Sequence, residues 1–103
     1  MLLTATDAGK IALEFLIVEW NLSEVDKEWF SIFSSRLIGE SWYIVELGIE
    51  GLPDKWYIQV YDTEECDPDY TFMSPLRGSQ GYDGLRNLPQ LVAEVVFCER
   101  NTR

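Results

Sequence analysis

The fold is decided by residues 42–61, which read WYIVELGIEGLPDKWYIQVY. On both sides of residues 51–54, apolar side chains alternate with the others at a period of two, as in half-buried strands. One face of the first run consists of Tyr43, Val45, Leu47 and Ile49, and one face of the second of Trp56, Ile58 and Val60. Because glycine and proline in residues 51–54 favour a loop, we predict two neighbouring antiparallel strands with a shared core-facing side.

Further strands are predicted on both sides of this pair. A run from Trp29 to Leu37 has strand character and ends at a tight turn over residues 38–40. After a loop at residues 63–69, residues 70–73 suit a short fourth strand. The sequence therefore predicts a sheet of three or four strands.

The N-terminal segment predicts a helix from Thr4 to about Val18. Its apolar residues recur at spacings of three and four, which places one face against a core: Ala8, Ile11, Ala12, Phe15 and Leu16. Thr4 is suited to cap this helix, and Asp7 lies where the helix dipole favours an acid. Residues 21–28 suit either a short helix or an acidic connection.

The C-terminal third begins with a long loop predicted at residues 74–86, which contain Pro75 and three glycines. Asn87, Pro89 and Gln90 then indicate the start of a helix. One helical face would hold Leu88, Leu91, Val92 and Val95. Valine and phenylalanine at residues 92–97 also suit a strand, so residues 88–98 are predicted as a helix with a strand as the alternative.

These elements predict an α+β fold in one small globular domain, residues 1–103. An N-terminal helix packs on a three- to four-stranded antiparallel sheet, and a C-terminal helix or strand covers part of the sheet. A chain that is 47% hydrophobic has enough apolar surface for a core.

Charge restricts the partners that this chain can bind. It has 18 acidic and 8 basic residues and a net charge of -10. Nucleic acid and anionic membranes are therefore unfavourable partners, and a basic or neutral protein is favoured. The N-terminus has no basic signal-peptide region, and two widely spaced cysteines suggest free thiols, so we expect a cytoplasmic protein.

Catalytic and metal sites are not expected. The chain has no histidine, the side chain most used for proton transfer near neutral pH and for metal binding. Residues 62–69 hold five carboxylates, but they lack the glycine and spacing of a calcium loop and are predicted to be a solvated turn. Cys98, inside an apolar segment, is expected in the core, and the acids beside Cys66 should disfavour its thiolate. We predict no catalytic residues, no cofactor and no metal.

Three aromatic residues are the candidate binding residues. If Trp56 faces the core, Tyr57 and Tyr61 lie on the other side of the sheet, where Trp42 or Tyr43 joins them according to the register. The C-terminal segment is expected to cover this side, because its own apolar residues need burial. If it does not, Trp42, Tyr57 and Tyr61 form an exposed binding site.

Residues 4–73 resemble cystatin-like domains, in which one helix packs on an antiparallel sheet, such as PepSY-type modules and small bacterial toxin-immunity proteins. The resemblance rests on the order of elements, on Ala5, Ala8 and Ala12 in the first helix, and on strands led by Trp42 or Trp56. It does not extend to the glycine-containing loop or to residues 87–103, and no functional residue is carried over from it.

The sequence thus favours a non-enzymatic binding protein, in the manner of an inhibitor or immunity protein. One alternative is a small-molecule binder or enzyme with a pocket between Phe15, Trp56 and the loop at residues 78–84. The other is a self-associating subunit, for example a homodimer.

Overall fold

The computed structural model describes residues 3–76 and 80–102. Its elements follow the chain in an α+β order: α1 (Ala5–Glu19), α2 (Glu24–Lys27), β1 (Phe30–Ile38), β2 (Trp42–Ile49), β3 (Lys55–Tyr61), β4 (Thr71–Met73) and α3 (Gln90–Asn101). The predicted fold class is confirmed. The final element is the helix, and residues 21–28 do contain a short helix.

Both N-terminal helices begin at a capping side chain. The Thr4 Oγ1 accepts a hydrogen bond from the Asp7 backbone N–H at 3.1 Å. At α2, the Ser23 and Asp26 side chains each accept a hydrogen bond from the other residue's backbone N–H, which forms a capping box. Caps of this kind satisfy backbone donors that have no partner inside the helix, so they fix where each helix starts.

The four strands form one antiparallel sheet in the order β1-β2-β3-β4. The register places Leu47 opposite Trp56 and Val45 opposite Ile58, so the apolar faces of β2 and β3 coincide. Helix α1 packs on this face through five buried residues: Ala8, Gly9, Ala12, Leu16 and Ile17. Phe15, expected in the same interface, is only half-buried and contacts Tyr70 edge-to-face at 6.4 Å between ring centroids.

Helix α3 packs on the same face as α1. Val92, Val95 and Val96 are buried in the common core, and the Trp56 Nε1–H donates to the Glu99 Oε2 at 2.7 Å. The expectation that the C-terminal segment covers Tyr57 and Tyr61 is therefore wrong. Glu99, near the end of α3, bonds to Trp56, which faces the core, so α3 lies on the core-facing side of the sheet.

The strongest of these contacts is a buried ion pair between Arg100 and Asp54. Their side chains are both fully buried, and the guanidinium Nε and Nη2 donate to the two carboxylate oxygens at 2.7 and 2.6 Å. The Nη1 donates to the backbone carbonyls of Gly81 and Asp83. The Arg100 side chain thus connects α3 to the β2–β3 loop and to the long loop before α3.

Candidate interaction surface

The side of the sheet opposite the helices carries three cross-strand rows of side chains. From β1, β2 and β3 in turn they are Ile38, Trp42 and Tyr61; Arg36, Ile44 and Gln59; and Ser34, Glu46 and Tyr57. We call these nine residues the open face. It contains Trp42, Tyr57 and Tyr61, so the structure brings the three predicted binding residues together on one side.

The open face is partly accessible. Tyr61 is 36% exposed, and Trp42, Ile44 and Tyr57 are half-buried. Beside Tyr57 lies a shallow depression bounded by Lys55, Met73 and Pro75. The surface is therefore broad and amphipathic, with its aromatic side chains placed on neighbouring strands of the sheet.

A bulge in β1 places the Phe33 side chain at one end of this surface. The register shifts between Ile32 and Ser34, which turns Phe33 toward the side of the open face. A Cβ on Gly48 would lie 2.5 Å from the Phe33 Cε2, so only glycine permits this ring to lie against β2. The Lys55 ammonium lies 4.5 Å from the centre of the same ring, a cation–π distance.

The acidic loop at residues 62–69 lies along the other end of the surface. The Asp67 backbone N–H donates to the Gln59 carbonyl at 3.0 Å, and the Tyr61 hydroxyl donates to the Asp67 Oδ2 at 3.3 Å. Burial, together with the Asp67 charge, raises the pKa of Tyr61. Within residues 3–76 and 80–102, no three side chains are grouped as ligands for a metal ion.

A cavity lies elsewhere, between α3 and the turn that precedes it. It measures about 550 Å³, and its walls include Leu85, Arg86 and Glu94. Tyr82 stacks on Phe97 with 4.3 Å between ring centroids. The observed cavity shares the loop at residues 78–84 with the predicted pocket, through Tyr82, but Phe15 and Trp56 do not line it, and Trp56 is fully buried in the core. Residues 78–79 of that loop lie outside the described residues.

The two cysteines are free, and they differ in environment. Cys98 is exposed and lines the cavity, so its predicted core position is wrong: it lies on the outer side of α3. Cys66 is half-buried, and burial raises the pKa of its thiol to about 11. Its thiolate is disfavoured as predicted, but through burial and not through the neighbouring acids.

Aromatic side chains also form hydrogen bonds in the core and at its edge. The Trp20 Nε1–H donates to the Tyr70 hydroxyl at 3.1 Å, and Glu99 accepts from Trp56. Burial raises the pKa of Tyr70 to about 12, so its phenol stays protonated at neutral pH. The sequence pattern predicted the buried Trp56 but gave no indication of its hydrogen bond to Glu99.

Comparisons with known proteins give no relative for this chain. No protein-family model matches it, and neither the curated proteins nor the solved structures include a significant match. The resemblance to cystatin-like domains stays a prediction. In the described residues, no helix is long and apolar enough to cross a membrane.

Proposed function

We propose that this protein is a small acidic binding protein that recognises another protein through the open face. The observation that supports this is the asymmetry of the sheet: α1 and α3 pack on one side, while Trp42, Tyr57 and Tyr61 lie on the other. Aromatic and apolar groups on an accessible surface mark interaction sites. Tyr and Trp are also the residues that most often dominate binding energies.

The charge of the chain favours a basic or neutral partner. At a net charge of -10, it attracts a positively charged protein over a distance and repels nucleic acid and anionic lipid. We expect the association rate to fall steeply from low to physiological salt, while the dissociation rate changes less. A cytoplasmic inhibitor or immunity-like protein, the role that the resemblance implies, would act in this way.

The proposal is tested by capture from the lysate of the native host on immobilised protein, with elution by salt. Replacing Tyr57 and Tyr61 together by alanine is expected to abolish capture of the partner without lowering the melting temperature. Tyr82→Ala, which removes one exposed tyrosine side chain from a different surface, is the control and should retain capture of the partner. Equal capture by wild type and the double variant would contradict the proposal.

The cavity beside α3 favours a second candidate function, the binding of a small apolar molecule. Its volume of about 550 Å³ falls in the range of about 300–1,000 Å³ that is common for ligand sites. Saturable binding of an anilinonaphthalene dye that is lost in Tyr82→Ala, but kept in the Tyr57 and Tyr61 variant, would support this role. The absence of saturable binding would remove it.

Self-association is the remaining alternative, because the open face of one copy could pack against that of another. Sedimentation velocity of the wild type and of the Tyr57 and Tyr61 variant separates this from binding to a different protein. A monomer at micromolar concentration would exclude a stable homodimer.

A further inference from the structure

Glu46 is an acidic side chain on the middle strand of the open face, in the row nearest the β2–β3 loop. It lies on β2 with Ser34 opposite it on β1 and Tyr57 opposite it on β3. Ile44 precedes it on the same face, and the residue is half-buried. An unpaired carboxylate at such a position loses hydration when a partner covers it, so a partner that supplies charge and hydrogen bonds to it gains binding energy.

Within residues 3–76 and 80–102, the Glu46 carboxylate has no ion pair and no side-chain hydrogen bond. Lys55, the nearest lysine on β3, is engaged elsewhere: its ammonium lies over the Phe33 ring and donates to the Leu52 carbonyl at 3.2 Å. Arg36 is exposed and lies opposite Ile44, one row away. The described part of the chain therefore leaves the charge of Glu46 uncompensated.

We propose that Glu46 receives an arginine side chain from the protein partner, with the guanidinium held between the carboxylate and the Tyr57 ring. A guanidinium can donate two parallel hydrogen bonds to a carboxylate and can stack on an aromatic face at the same time. The compact ammonium of lysine cannot do both equally well. This inference rests on the proposed function and specifies its partner, a protein that presents arginine to the Glu46 row of the open face.

The first test needs no natural partner. The probe is the capped peptide acetyl-Gly-Arg-Gly-amide, titrated into the ¹⁵N-labelled protein and followed by NMR. The matched peptide has citrulline, the neutral isostere of arginine. We expect saturable shifts at the backbone amides of residues 44–48 and 57 with the arginine peptide, and at least tenfold weaker binding with citrulline.

Glu46→Gln and Glu50→Gln form a matched pair of variants, because each removes one negative charge from the same region. Glu50 is exposed and lies in the turn after β2, outside the open face. We expect Glu46→Gln to weaken arginine binding about tenfold or more, the loss of a charge-assisted pair, and Glu50→Gln to change it less than twofold. Equal effects of the two variants, or no difference between arginine and citrulline, would overturn the inference.

The same variants distinguish this inference from the proposed function. Once the partner is captured, Glu46→Gln should lower the affinity for that partner about tenfold as well. If the partner binds normally to Glu46→Gln but not to the variant with Tyr57→Ala and Tyr61→Ala, the arginine contact is wrong and the open face remains the proposed binding site. If it binds normally to both, the proposed function fails too.

Discussion

Replacing Arg100 by leucine should destabilise the protein more than any change on its surface. The substitution removes all four hydrogen bonds of the guanidinium. It leaves the Asp54 carboxylate, whose side chain is fully buried, without a cation. Loss of one member of a buried ion pair costs about 3–5 kcal/mol, mainly because the remaining charge has lost its solvent.

That cost is a large share of the free energy of unfolding of a domain of this size, which is typically about 5–15 kcal/mol. Urea unfolding followed by tryptophan fluorescence measures it. The double variant Asp54→Leu, Arg100→Leu is the control. It should recover much of the lost stability because no unpaired charge remains. If Arg100→Leu lowers the free energy of unfolding by less than about 1 kcal/mol, the ion pair is open to solvent and does not hold α3 in place.

Four further predictions concern the sheet, the core and the thiols. Gly48→Ala should cost about 1–3 kcal/mol in urea unfolding, because the added Cβ would lie 2.5 Å from a ring carbon and 2.9 Å from a backbone oxygen; an unchanged stability would contradict the described packing. Leu16→Ala should cost about 2–5 kcal/mol and Phe15→Ala less, since Leu16 is fully buried and Phe15 only half-buried; the reverse order would mean that α1 is rotated. A disulfide reagent at about pH 8 should label Cys98 faster than Cys66, whose buried thiol has a pKa raised to about 11. Because the folded state holds that proton more tightly than the unfolded state, stability should fall as the pH rises from 9.0 to about 11, and Cys66→Ala should reduce the fall.

The sheet could be predicted from the sequence because its signal is local. Alternation at a period of two marks both faces of a strand, so the buried positions of Val45 and Trp56 followed directly from their neighbours. Tyr57 and Tyr61 were found in the same way, as the members of β3 that point away from the core. On β2 the choice between Trp42 and Tyr43 depended on the register, which places Trp42 opposite Tyr61. The cap at Thr4 is likewise a local pattern.

The side on which α3 packs could not be predicted, because it depends on contacts between residues far apart in the chain. Glu99 bonds to Trp56 across 43 positions and Arg100 to Asp54 across 46. Charged residues at the end of a helix usually indicate solvent, so their burial gave no signal in the sequence. The side of α3 that carries Glu99 and Arg100 packs inward, which leaves Cys98 exposed on the outer side of the helix.

The open face as the site of protein recognition is tested most directly by mapping the bound partner on it. The measurement is cross-saturation NMR on the deuterated, ¹⁵N-labelled protein in complex with its captured, unlabelled partner. We predict that the signal losses concentrate at residues 42–46 and 57–61 and that residues 90–98 of α3 keep their intensity. Losses centred on α3 and the Tyr82 turn, with β2 and β3 unaffected, would contradict the account and move the binding site to the cavity.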